Sequence, residues 1–66
     1  MNKPKGIAMH YTNKLLKFLQ EEQPSNKFDL QRSLSRFCLQ EGLRGPTVRK
    51  HYAYLVESQQ FEDVEI

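Results

Sequence analysis

Arg49 and Lys50 follow Pro46-Thr47-Val48 directly, and Arg44 stands five residues before Arg49. Guanidinium and ammonium groups set this close together donate to phosphate oxygens or to the O6 and N7 acceptors of guanine. Thr47 adds a hydroxyl for phosphate and a methyl for thymine, and His51 and Tyr54 carry further donors. Arg32 and Arg36 are four residues apart, so on a helix they share a face and form a pair able to grip phosphates. Lys3 and Lys5 lie in Lys3-Pro4-Lys5-Gly6, a basic stretch with two helix breakers. The competing reading of these residues is a solvated helix face, with His51 half-buried on its flank.

Other chemistry finds few residues to carry it. Cys38 is the single cysteine, so no internal disulfide is available, and it reads as a small apolar residue. A thiol nucleophile needs a base beside it, and His10 and His51 are both distant in sequence. Zinc needs about four ligands in paired spacing, which positions 10, 38 and 51 do not offer. Gly6, Gly42 and Gly45 are scattered rather than gathered into a phosphate-cradling loop. The expectation is a protein that is not an enzyme and uses no metal or cofactor.

Three elements must position the basic residues. Tyr11, Leu15, Phe18 and Leu19 fall at i, i+4, i+7 and i+8, and so do Leu30, Leu34, Phe37, Cys38 and Val48, Tyr52, Leu55, Val56. Each set lies along one face of a helix. The first helix is placed at about 12–22, started by Thr12 or Asn13 and stopped before Pro24. The second is placed at about 29–41, with Asp29 or alternatively Asn26 as its cap and Gly42 as its left-handed terminator. The third is placed at about 46–58, with Pro46 in its first turn. Phe28 reads as a short extended residue or a core plug, and Val64 and Ile66 alternate like a strand. Three stripes with no other apolar surface must face one another. The predicted core is these twelve residues with Phe28 and Val64.

The predicted fold class is mostly α: a compact three-helix bundle over 11–66, with at most one short strand near the C-terminus, behind a flexible basic arm over 1–10. Sixty-six residues suffice for one domain, and a chain of this size buries only about 60% of its unfolded surface. Hydrophobic residues are 38% and charged residues 27%, polar for a globular chain yet not a disordered composition. Residues 1–51 hold all ten bases against four acids, whereas 52–66 hold four acids and no base. That asymmetry points to an anionic partner for the first part of the chain. No apolar run is long enough to span a membrane, and no apolar segment follows Lys3 and Lys5, so a cytoplasmic location is expected.

The stretch from Phe28 to Ile66 runs helix, glycine-bearing turn, then a helix beginning Pro46-Thr47-Val48-Arg49-Lys50-His51-Tyr52, with Leu55 and a β-prone end. It resembles the helix-turn-helix of winged-helix DNA-binding domains, with the wing absent or reduced to one strand. The resemblance implies a small sequence-specific DNA-binding protein, a transcriptional regulator that lays helix 46–58 in the major groove of double-stranded DNA. With the Val48, Tyr52, Leu55 and Val56 stripe inward, Thr47, Lys50 and Tyr54 would point into the groove, and Arg49 and His51 would sit on its two flanks. Arg44, Arg32 and Arg36 would meet the backbone, and Lys3 and Lys5 would reach along the minor groove. One such module buries only about 600–1,000 Å², so a homodimer or a partner protein is expected. Helix 1 and the C-terminal segment, with Ile7, Met9 and Phe61, are the candidate surfaces. The alternative is a helical protein-interaction module, for example a phage or plasmid inhibitor of a host protein.

Overall fold

The computed structural model describes residues 9–64, which form three helices: α1 (Met9–Glu22), α2 (Lys27–Glu41) and α3 (Gly45–Glu57). The bundle is mostly α, and no strand occurs among the described residues. Val64 lies outside any strand and packs partly against the core; Ile66 falls outside the described residues.

Each helix buries residues at i, i+3 and i+7. These are Thr12, Leu15 and Leu19 on α1, Leu30, Ser33 and Phe37 on α2, and Val48, His51 and Leu55 on α3. One member of every set is polar. At 100° per residue, each buried face is turned by about half a residue step from the purely apolar face, toward that polar side chain. Leu34, Cys38, Tyr52 and Phe18 therefore sit at the margin of the core, joined by Leu16, Leu43, Phe61 and Val64. The Phe18 and Phe37 rings meet there, with centroids 5.4 Å apart.

The first helix is already formed at Met9, so residues 9 and 10 belong to it and not to an arm. Thr12 is a core residue, not a cap. The connection to α2 turns through Gln23 at φ 49°, followed by Pro24. Asn26 caps α2, its Oδ1 accepting from the Asp29 backbone N–H at 2.8 Å. This start, two residues before Asp29, carries Phe28 onto the helix. Phe28 then lies about 160° away from Leu30's side of the core, which is why it is 70% exposed and neither extended nor a core plug.

The turn between α2 and α3 is three residues, Gly42-Leu43-Arg44. Gly42 adopts φ 69° and its N–H bonds back to the Cys38 carbonyl. The Leu43 N–H bonds to the same carbonyl at 3.0 Å. Such a left-handed stop suits glycine, which has no Cβ to clash. After α3 the chain folds back over Tyr52. The Phe61 ring meets the Tyr52 ring edge-on at 6.0 Å, and the Tyr52 hydroxyl donates to Asp63 Oδ1 at 2.5 Å.

Candidate nucleic-acid interface

The turn and the first two turns of α3 bring the basic residues together. Arg44 is the N-cap residue of α3 and is exposed, as are Arg49 and Lys50. None of the three forms an ion pair or a side-chain hydrogen bond among the described residues. The exposed residues of α3 beyond Pro46 are Arg49, Lys50, Ala53 and Glu57. Arg49 and Lys50 therefore flank the outward direction on either side of Ala53. Thr47 and Tyr54 are half-buried rather than squarely outward. This differs from the apolar-stripe expectation because His51 draws its own side of α3 inward.

His51 is 1% exposed, and its Nδ1 lies 2.8 Å from Thr12 Oγ1 on α1. It is a core residue with no surface to offer DNA, which corrects its place among the contact residues. Burial pushes the imidazole pKa down, so the neutral ring is the form the core holds.

The charges of α3 run against its dipole. No acid occupies the first turn and no base the last. Arg44 stands at the positive end of the helix and Glu57 at the negative end, with Arg49 and Lys50 in the second turn. Complementing the dipole is worth about 0.3–1 kcal/mol per charge, so helix stability does not explain this arrangement. The consequence is a concentrated positive potential at one end of α3, with unpaired backbone N–H groups beside it.

A small cleft separates α3 from α2 at this end, lined by Gln31, Leu34, Ser35, Cys38, Gly45 and Arg49. Gln31 and Ser35 bring side-chain donors to the cleft that Arg49 lines, and neither belongs to an apolar stripe. Their signal was the i, i+4 spacing on the side of α2 away from Leu30, together with the short turn that brings α3 alongside.

The α2 arginines differ from each other. Arg36 forms an ion pair with Glu22 at the end of α1. Ser33 Oγ also donates to that carboxylate, at 3.5 Å. Arg36 thus has an ion partner within the chain, while its side chain remains exposed at the surface. Arg32 is exposed and without an ion partner among the described residues, but it shares a shallow depression with the Phe28 ring. Lys3 and Lys5 lie outside the described residues.

Among the described residues no three or more His, Cys, Asp or Glu side chains are gathered in a way that could hold a metal ion, and no helix is long and apolar enough to cross a membrane. The Cys38 thiol is half-buried against the core. Compared with protein-family models, with curated proteins and with solved structures, the chain matches none.

Proposed function

We propose that this protein binds double-stranded DNA as a helix-turn-helix module of degenerate winged-helix type, a binding protein rather than an enzyme. In this reading α3 enters the major groove by its first two turns. The observation that carries the reading is that Arg44, Arg49 and Lys50 are exposed, free of ion partners among the described residues, and all within the cap and first two turns of α3. Two helices joined by a three-residue turn with a left-handed glycine are the local geometry such modules use. Arg49 and Lys50 read or flank bases, Arg44 and the Thr47 hydroxyl meet phosphate, and Gln31 and Ser35 border the contact from α2. Tyr54, half-buried a turn and more further on, reaches the edge of the footprint with its hydroxyl. Arg32, exposed and without an ion partner among the described residues, meets phosphate from α2.

A single module offers few base contacts, so the protein acts as a homodimer or together with a second protein. Of the three residues expected to serve, Met9 and Phe61 are half-buried in their own fold, and Ile7 lies outside the described residues. A transcription regulator working in the cytoplasm of its cell accords with this reading.

The test is binding to random and mixed-sequence duplexes, followed by fluorescence anisotropy across a salt series. Each phosphate neutralised contributes about −0.9 to the log–log salt slope, so three basic contacts give about −3. The Arg49→Ala/Lys50→Ala variant, its fold verified by circular dichroism, is expected to lose at least the roughly one unit of slope that a phosphate-contacting Lys50 contributes. Absence of binding at low salt, or an unchanged slope in the folded variant, rules the reading out.

A further inference from the structure

The serines of this chain are not alike. Ser25 donates to Asp29, Ser33 is buried and donates to Glu22, and Ser58 donates to the Tyr54 carbonyl. Ser35 is exposed in the middle of α2, and its hydroxyl has no such partner among the described residues.

Ser35 also stands where arginines of two helices converge. With Arg32 and Arg36 it lines a shallow depression on the outer side of α2, and with Arg49 it lines the cleft to α3. Gln31 borders both, and no carboxylate lines either one. Glu22 and Asp29 meet Arg32 and Arg36 in a separate depression at the turn between α1 and α2, which Ser35 does not line. Arg36 is held there by Glu22, whereas Arg32 and Arg49 have no ion partner among the described residues.

We propose that Ser35 is a phosphorylation site, and that its phosphate is captured by Arg32 and Arg49 and closes the DNA-binding face. The phosphoryl donor is ATP, brought by a serine/threonine kinase whose substrate groove pairs carboxylates with Arg32, three residues before the acceptor, and Arg36, directly after it. Ser35 Oγ attacks the γ-phosphorus, and the bond from that phosphorus to the β,γ-bridging oxygen breaks. ADP leaves with the bonding pair, and the hydroxyl proton passes to the base of the kinase.

The new group carries a charge of about −1.5 to −2 at pH 7 and three acceptor oxygens. Arg32 lies one turn back on the same face of α2, and Arg49 stands across the cleft. Their guanidinium groups pair with phosphate in a bidentate way. Bound by both, the phosphate ties α2 to α3 and takes Arg49 from the groove. It also sets a dianion where the DNA backbone would pass, and like charges repel. The effect on DNA rests on the DNA-binding reading; the capture of the phosphate does not.

The full chain is incubated with an arginine-directed serine/threonine kinase and ATP, and the modified residue is located by tandem mass spectrometry. Phosphate is expected on Ser35, and Arg32→Ala should slow its incorporation by about tenfold or more. Ser35→Ala, an exposed change to a better helix former, should keep the fold and take no phosphate. No incorporation, or incorporation at another residue instead, overturns the site. Capture is read without DNA, from the phosphorus NMR titration of the modified chain. The second ionisation of the phosphate should lie lower in the wild type than in a phosphorylated Arg49→Ala variant whose fold circular dichroism has verified. Coincident titrations overturn the capture by Arg49. Phosphorylation should then weaken duplex binding by about tenfold or more, and unchanged affinity after complete modification overturns the closing of the face. An unmodified chain that binds no duplex would sink the DNA reading, while the mass spectrum and the titration would still decide the Ser35 site.

Discussion

Thr12 Oγ1 and His51 Nδ1 lie 2.8 Å apart, joining α1 to α3 across the centre of the bundle. Both residues are closed off from solvent, and no buried side-chain nitrogen or oxygen among the described residues lacks a hydrogen-bond partner. The pair sets the rotation of α3, because bringing His51 inward turns Arg49 outward. Removing the Thr12 hydroxyl takes this bond from the His51 imidazole in the core. Thr12→Val, nearly equal in shape, should cost about 1–3 kcal/mol through the unpaired imidazole. A Thr12→Val/His51→Leu variant should recover part of that loss, read as a positive coupling in a double-mutant cycle by urea unfolding. Additive losses would mean that the contact contributes nothing of its own.

The same pair makes stability depend on pH. Burial lowers the His51 pKa below the ordinary 6.5 of an unfolded chain. Between the two values the unfolded state binds more protons, so stability rises with pH there. The contribution is complete above about pH 6.5 and is lost on acidification down to the folded-state value. Thermal melts from pH 8 to 5 should show a falling midpoint for the wild type and a flatter curve for His51→Leu. Parallel curves would show that other groups govern the acid response.

Tyr52 works in the opposite range. Burial first, and the bond to Asp63 second, raise its phenol pKa to about 12. A raised folded-state value means that the stability Tyr52 contributes is intact below its unfolded pKa of 10.0. It is lost as pH climbs from there toward 12. The phenol absorbance of the Tyr52→Phe variant should therefore lack the latest-ionising component of the wild-type alkaline titration. An unaltered titration would place that component on Tyr11 or Tyr54.

Much of the fold was legible because its apolar residues recur at helical spacing and its stops are chemically plain. Gly42 could only end a helix gracefully in the left-handed conformation it shows, and Asn26 was one of two caps its neighbourhood offered. What spacing could not carry was the phase of each helix to within half a residue step. An apolar-versus-polar reading excludes Thr12, Ser33 and His51 from the interior, yet each is buried once a partner on another helix satisfies it. Phe28 was misplaced for a related reason: moving the start of α2 by two residues changes an entry plug into an outward ring. In the candidate interface, the exposure of Arg49 and Lys50 followed from the pattern. The capture of Arg36 by Glu22 is a contact between helices and had no trace in local spacing.

Core substitutions separate the central positions from the marginal ones. Leu55 is fully buried, whereas Leu34 sits at the edge of the core. Leu55→Ala should cost about 2–5 kcal/mol, comparable with the whole stability of a small domain. Leu34→Ala should cost less and leave a measurable cooperative transition. Gly42→Ala acts by strain alone, since no atom lies within 4 Å of an added Cβ while φ stays at 69°; about 1–2 kcal/mol is expected. Equal losses for Leu34 and Leu55 in chemical denaturation would refute this ranking.

Arg49 and Lys50 are both exposed and free of ion partners among the described residues, yet their loss should read differently in DNA binding. Arg49 lines the cleft with Gln31 and Ser35 and carries a planar guanidinium fork. A fork of that geometry matches guanine O6 and N7 in a bidentate way, and a lysine ammonium does not. Lys50 lies on the opposite flank of Ala53 and lines none of that cleft. Arg49→Ala should therefore cost about 1–3 kcal/mol on a selected duplex and much less on a random one, which appears as relaxed sequence preference. Lys50→Ala should weaken both duplexes alike and remove about one unit of salt slope. Arg49→Lys tells charge from shape: it should keep the salt slope and still lose the preference. The measurement is anisotropy with a selected and a random duplex at several salt concentrations. Equal loss on both duplexes for Arg49→Ala would make Arg49 a phosphate contact and leave base reading to other residues of α3.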